Sequence, residues 1–161
     1  MKRLLKPSHT AAVILCLFIS VHLGGQEVSV LPQAAEFAAK LGWTPDEAFG
    51  WLGPPDALFP YRGEVPSEDN VVFYYDDHTY LFWFSDRVWQ VRADENWPGE
   101  VDGVRMGMSL AAVRDIWGAP VNDRDENPTW VLPDRGYPVR IRLYFDDSGG
   151  LHDLYVYRSD W

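Results

Sequence analysis

Two segments of this chain follow one pattern. Thr44 to Pro55 reads TPDEAFGWLGPP, and Ser109 to Pro120 reads SLAAVRDIWGAP. In each, a hydroxyl residue opens a short helical stretch that ends in Gly-x-Pro. The two align without a gap at an offset of 65 residues, placing Thr44 on Ser109, Gly53 on Gly118 and Pro55 on Pro120. Each then runs into aromatic, strand-like sequence: VVFYYDDHTYLFWFSDRVWQV after the first, YPVRIRLYFDDSGGLHDLYVY after the second. Such a repeat constrains the fold more than any single residue, because each copy must form one supersecondary unit. The expectation is an α+β protein of two tandem repeats, each a short helical unit packed on an antiparallel β-sheet. Residues 26–99 hold the first copy and 100–161 the second.

The first 25 residues read differently. Lys2, Arg3 and Lys6 make a positive start, Ala11 to Gly24 an apolar core of about 14 residues, and Gly24 and Gly25 a small-residue end. That is the layout of a secretory signal peptide. The apolar run is short of the ~20 residues a spanning helix needs, although an uncleaved anchor is the alternative. The expectation is export to the periplasm or the extracellular space, with no membrane insertion of the mature chain. Cys16, the one cysteine, lies inside the apolar core behind Leu15, where a lipid-attachment signal would need a small residue. The mature chain then has no cysteine, hence no disulfide, thiolate metal site or cysteine nucleophile.

The whole chain has a formal charge of −10. Without the three basic residues of the leader, 11 Lys and Arg stand against 24 Asp and Glu, a net of −13. Such a surface repels phosphate backbones and anionic membranes, so nucleic acid is not an expected partner.

Local signals place the elements. The apolar spacing of Ala34, Phe37, Ala38 and Leu41 suits a helix face within Leu31 to Leu41. Thr44, Pro45 and Glu47 make a capping box for a second helix that Pro54 and Pro55 end. Strands are expected at Val71–Tyr75, Thr79–Ser85 and Val88–Arg92. Asn96 to Gly103 is a Gly/Pro linker. Ser109 caps a helix over Leu110–Trp117, and strands follow at Thr129–Leu132, Val139–Phe145 and Leu151–Arg158.

Alternation assigns the sheet faces. Ile141, Leu143 and Phe145 belong inside, and Arg140, Arg142 and Tyr144 outside. Leu151, Leu154 and Val156 are the inner positions of the last strand, which requires a bulge between Leu151 and Leu154 and puts Tyr155 and Tyr157 outside. In the first copy Phe82 and Phe84 are assigned inside, and Leu81 and Trp83 outside. Apolar residues on both parities mean that this outer face is covered or used.

The stretch Gly107-Met108-Ser109, Val113, Ile116, Gly118 and Pro120 reads GMSxxxVxxIWGxP. It resembles the motif of the SmpA/OmlA small outer-membrane assembly lipoproteins and of the structurally related β-lactamase inhibitor proteins. In these families a helical pair precedes a three- or four-stranded antiparallel sheet, and the inhibitor proteins carry two such units forming a concave sheet. The resemblance spans nearly the whole mature chain as a pattern, through about a dozen residues per copy. The chain departs from the lipoproteins in lacking a lipobox cysteine, and from the inhibitors in lacking disulfides. Gly42-Trp43 stands where the second copy has Gly107-Met108. What the resemblance implies is an exported module that binds another protein across an aromatic sheet face.

Motifs for chemistry are sparse. Asp76-Asp77-His78 and Asp146-Asp147 fall at hairpin turns, where Asp bonds locally. Asp123, Asp125 and Asn127 have the D-x-D-x-N spacing of a calcium loop. Pro128 takes the place of the required glycine, however, and Asp134 that of the bidentate Glu. No HExxH, GxSxG or phosphate loop occurs. No metal, no cofactor and no enzymatic activity are expected. The aromatic set Trp83, Tyr144, Tyr155 and Tyr157 has two readings. The rings pack against one another or beneath the other copy, or they form a binding face for an envelope or extracellular protein, with Arg140 and Arg142 supplying planar donors. The alternative function is a small-ligand or peptide binder with a pocket between two sheets. A hydrolase would need a cleft gathering His78 or His152 with a carboxylate.

Overall fold

The computed structural model describes residues 32–65, 69–122 and 127–160. The leader and the first two acids of the calcium-like spacing, Asp123 and Asp125, lie outside these residues. In chain order the elements are α1 (Ala35–Ala38), α2 (Pro45–Leu52), β1 (Ala57–Tyr61), β2 (Asn70–Tyr75), β3 (Thr79–Phe84), β4 (Arg87–Ala93), α3 (Leu110–Trp117), β5 (Thr129–Val131), β6 (Val139–Phe145) and β7 (Leu151–Arg158). The fold is α+β. The described strands form one antiparallel sheet of seven, in the order β1-β2-β3-β4-β7-β6-β5. There is thus no second sheet among the described residues, and the expected pocket between two sheets has no place to form.

The strands before the linker join those after it where β4 meets β7, with Gln90 opposite Tyr157 and Arg92 opposite Tyr155. Outward from that seam the order is mirrored: β3 matches β6 and β2 matches β5. Each side carries one bulge. Phe82 pairs with Gln90 and Trp83 with Val88, which leaves Trp89 extra. Tyr144 pairs with Asp153 and Phe145 with Leu151, which leaves His152 extra. The second bulge is the one that the spacing of Leu151 and Leu154 requires.

The helices show how local sequence sets geometry. The Thr44 side chain accepts the Glu47 N–H while the Glu47 carboxylate accepts the Thr44 N–H, completing the capping box of α2. Ser109 accepts the Ala112 N–H at the start of α3. Each helix runs eight residues. Each ends on a glycine in the same backbone state, Gly53 at φ 80°, ψ −172° and Gly118 at φ 75°, ψ −169°. By contrast, α1 is shorter than the expected helix within Leu31 to Leu41. Ala34 lies in the left-handed region, at φ 44°. The Asp102 carboxylate, far along the chain, accepts the Gln33 and Ala34 N–H groups at 2.7 and 2.8 Å. The apolar face read from the spacing survives: Ala34, Phe37, Ala38 and Leu41 are all buried.

The three helices among the described residues pack on the same side of the sheet. Phe37, Ala48, Val113 and Trp117 share one buried cluster with Leu81, Trp83, Val91, Ile141, Leu143, Leu154 and Val156. Trp117 meets Trp130 edge-on at 5.4 Å between ring centres, and each indole N–H donates to a backbone carbonyl, of Asp102 and Gly118 respectively. Among the described residues, no helix covers the other side of the sheet. No helix among the described residues is long and apolar enough to cross a membrane either.

Candidate functional site

The uncovered side of the sheet is built by alternation, interrupted at the bulge residues Trp89 and His152. On β6, Val139, Ile141 and Leu143 point into the core, which leaves Arg140, Arg142 and Tyr144 outside as expected. On β7, Leu154 and Val156 are inside, with Tyr155 and Tyr157 outside. On β3, however, the parity is the reverse of the sequence assignment. Leu81 and Trp83 are buried, while Tyr80, Phe82 and Phe84 are half-exposed on the outer side. Trp83 is 4 % exposed and packs on Phe73 at 4.7 Å, so it leaves the candidate binding set. Both parities of β3 are aromatic or aliphatic, so alternation alone could not choose between them. The choice falls to β4, whose Val88, Val91 and Ala93 are fully buried and pair with Trp83, Leu81 and Thr79.

The outer side has five aromatic contributors that the sequence reading left unassigned, two of them Tyr74 of β2 and Tyr80 of β3. Phe59 and Tyr61 come from β1, a strand the pattern rules missed. Trp89 is the bulge residue of β4. With them, rings run across the sheet in two lines that meet at Tyr155. One goes from Tyr61 to Phe82 (6.0 Å), then Tyr155 (6.4 Å) and Tyr144 (5.1 Å). The other goes from Phe59 to Tyr74 (6.2 Å) and Tyr80 (4.9 Å). The Arg92 guanidinium then bridges Tyr80 and Tyr155, at 4.7 and 5.8 Å from their ring centres. Arg142 lies over Tyr157 at 5.1 Å and donates to a neighbour, the Tyr157 hydroxyl, at 2.9 Å. Arg140 is exposed.

A concavity of about 330 Å³ opens on this side. Tyr61, Phe82, Trp89 and Gln90 line it from one half, and Arg142, Tyr144, Tyr155 and Tyr157 from the other. A second hollow of about 590 Å³ adjoins it, sharing Tyr61 and Trp89 and including Phe84.

Polar groups form a string at one end of the seam. Asp94 accepts from the Tyr80 hydroxyl at 2.7 Å and the Asn96 N–H at 2.9 Å, and lies 3.1 Å from His78 Nδ1. Burial works against its charge, but these hydrogen bonds prevail and hold its carboxyl below the usual range. Burial also raises the Tyr80 hydroxyl, aided by the bond to Asp94. His152 Nδ1 lies 2.8 Å from Asp153 and Nε2 lies 3.2 Å from Glu95. The Asp153 bond is the main reason that His152 titrates above an ordinary histidine. His78 and His152 therefore each have a carboxylate partner. No serine or threonine hydroxyl is hydrogen-bonded to either one among the described residues. No group of three or more His, Cys, Asp or Glu is arranged to hold a metal among them. Asp77 and Asp146 serve their turns, Asp77 accepting from Thr79 and Asp146 from Ser148 and Gly150.

No protein-family profile matches this chain, and no curated protein matches it. Similar in fold is the 1.5 Å crystal structure of an extracellular protein containing an SCP domain from Bacillus anthracis str. Ames. The TM-score is 0.50, with 12 % identity over 91 % of this chain. The chain spans 50 % of that protein's length. At that identity the likeness concerns the fold alone.

Proposed function

We propose that this chain is an exported, non-enzymatic protein-binding module built from two tandem helix–sheet units. Its partner would be another envelope or extracellular protein, bound on the outer side of the sheet. One observation carries the reading: a side of the sheet rich in half-exposed Tyr, Phe, Trp and Arg has no helix over it among the described residues. Contiguous exposed apolar surface of this kind marks interaction sites in soluble proteins. Tyr, Trp and Arg are the types that most often anchor interfaces. The resemblance to outer-membrane assembly lipoproteins and β-lactamase inhibitor proteins points the same way, as does the leader-like start for export. The matching caps, matching bulges and mirrored strand order support the tandem plan. The residues proposed for contact are Arg140, Arg142, Tyr144, Tyr155 and Tyr157, joined by Tyr61, Phe82 and Trp89 in place of Trp83.

The test is affinity capture from the native envelope fraction. The combined variant Phe82→Ala, Tyr144→Ala should lose the captured partner, while Trp83→Phe should keep it. Retention of every partner by the combined variant would overturn the reading.

The open concavity favours one alternative, a small-ligand or peptide binder seated on the single sheet. A rise in melting temperature with a small molecule, in the absence of any protein partner, would favour it.

A further inference from the structure

The candidate face carries a charge pattern unlike that of the molecule around it. The chain has 24 acidic residues against 14 basic ones. Yet none of the residues lining the 330 Å³ concavity is acidic. On the outer positions of β6 stand Arg140 and Arg142. No carboxylate pairs with Arg140 among the described residues, and its side chain lies open to solvent. Arg142 is braced from one side by the Tyr157 ring and hydroxyl, which fixes its planar fork against the sheet. On neighbouring β7 the outer carboxylate, Asp153, is already held by Arg92. The result is a cationic aromatic island on an acidic protein.

The island also has a direction. From β6 the rings continue over β7, β4 and β3 to Tyr61 on β1, through the hollow shared by Tyr61 and Trp89. Five inter-strand steps make that path about 24 Å, roughly seven residues of extended chain. The two ends differ. Over β6 stand the guanidinium groups of Arg140 and Arg142, and over β4 the Arg92 guanidinium is already paired with Asp153. The far hollow sets the Tyr61, Trp89 and Phe84 rings beside one residue of each charge, Arg62 and Glu64.

We infer that this face takes an extended protein segment with carboxylates at one end, over Arg140 and Arg142, and apolar or aromatic side chains at the other, over Trp89 and Tyr61. The inference rests on the binding reading above and adds the partner's chemistry. Planar guanidinium groups match carboxylates two bonds at a time. A short acidic segment suits the site better than a long polyanion, because the −10 charge of the whole chain repels extended phosphate chains beyond the local patch.

The test is selection of a random twelve-residue peptide library on the purified protein, followed by titration of the enriched peptides. The expected winners combine an Asp/Glu cluster with an aromatic cluster. Their affinity should fall at least about tenfold in Arg140→Glu, and again when salt rises from 50 to 500 mM. Arg140 is exposed, so this variant leaves the fold intact, and Arg142→Gln provides a second reading. Neutral or basic winners that lose binding in Phe82→Ala, Tyr144→Ala but not in Arg140→Glu would overturn the charge assignment and leave the binding face standing. Winners indifferent to every one of these variants would overturn both. Displacement of the peptides by a twelve-residue thymidine oligonucleotide would overturn the choice of a protein segment.

Discussion

Both Nε and Nη2 of Arg92 lie 2.5 Å from Asp153 Oδ1, across the seam where β4 meets β7. The pair is largely shielded, with side-chain exposures of 23 % and 13 %. It ties the strands that precede the linker to those that follow it, and the same guanidinium lies over the Tyr80 and Tyr155 rings. Burial is the largest single influence and favours the neutral guanidine, but the Asp153 hydrogen bond and the fields of Tyr155, Asp153 and Tyr80 together outweigh it and raise the guanidinium above its usual range. Removing Arg92 leaves the Asp153 carboxylate with His152 alone beside it, at 2.8 Å, and removing Asp153 leaves a half-buried guanidinium without its carboxylate. Arg92→Met should therefore cost about 1–3 kcal/mol of unfolding free energy in a urea titration. In a double-mutant cycle with Asp153→Asn, the two losses should be markedly non-additive. Additive losses would mean that the contact does not join the halves.

Trp83 separates packing from binding. Its ring is buried on the helix side of the sheet, and its indole N–H has no hydrogen-bond partner among the described residues. Trp83→Ala should cost about 3–5 kcal/mol through the cavity it leaves. Trp83→Phe removes the orphaned donor while keeping an aromatic ring, so its net cost should stay within about 1 kcal/mol. Thermal or chemical unfolding of the two variants checks this. A Phe variant as unstable as the Ala variant would show that the N–H has a partner after all.

Where one parity of a strand is polar, the faces were legible in the sequence. Arg140, Arg142 and Tyr144 alternate with aliphatic neighbours, and β6, β7 and α3 span the residues that pattern and capping indicate. The bulge at His152 followed from the spacing of Leu151 and Leu154. The first half was less legible for a physical reason. Tyr80 to Phe84 is apolar on both parities, so hydrophobicity carries no face information there, and Trp83 was placed on the wrong side. β1 was hidden by Pro60, which disqualifies a central strand but suits an edge. Its neighbour Leu58 is exposed, so no buried alternation marks the strand. With β1 went Phe59 and Tyr61, two members of the candidate face. Trp89 was unassigned because a bulge residue belongs to neither parity.

His152 gives the molecule a pH signature with a definite sign. Its hydrogen bond to Asp153 raises its folded titration point, burial opposes this, and Glu95 adds attraction. A histidine with a raised folded value stabilises the fold fully below the ordinary histidine value of about 6.5, and that contribution is lost as pH rises through the folded value. The melting temperature of the parent chain should exceed that of His152→Gln at pH 5.5, with the gap closing by pH 8.5. A gap that widens with pH would contradict the assignment. Because His152 is 42 % exposed, solvent screens the effect and the gap should be small.

The sharpest test of duplication lies in two glycines. The Gly42 N–H donates to the Val88 carbonyl, and the Val88 N–H donates to the Trp43 carbonyl, at 2.7 and 2.9 Å. The Gly107 N–H donates to the Leu151 carbonyl, and the Leu151 N–H to the Met108 carbonyl, both at 2.8 Å. Val88 and Leu151 each immediately precede a bulge residue, Trp89 and His152. Both glycines are left-handed, at φ 85° and 81°. A Cβ on Gly107 would meet nothing within 4 Å, and one on Gly42 would meet only the Tyr137 hydroxyl at 3.6 Å, an ordinary contact. The cost of alanine is then conformational at both sites, about 1–2 kcal/mol each. Gly42→Ala and Gly107→Ala should destabilise equally, to within about 0.5 kcal/mol, because the backbone state and the bridged strand position are the same. Denaturant titration of the two variants decides it. A substitution harmless at one site and costly at the other would mean that Gly42-Trp43 and Gly107-Met108 are not equivalent, and the tandem plan would lose its firmest support.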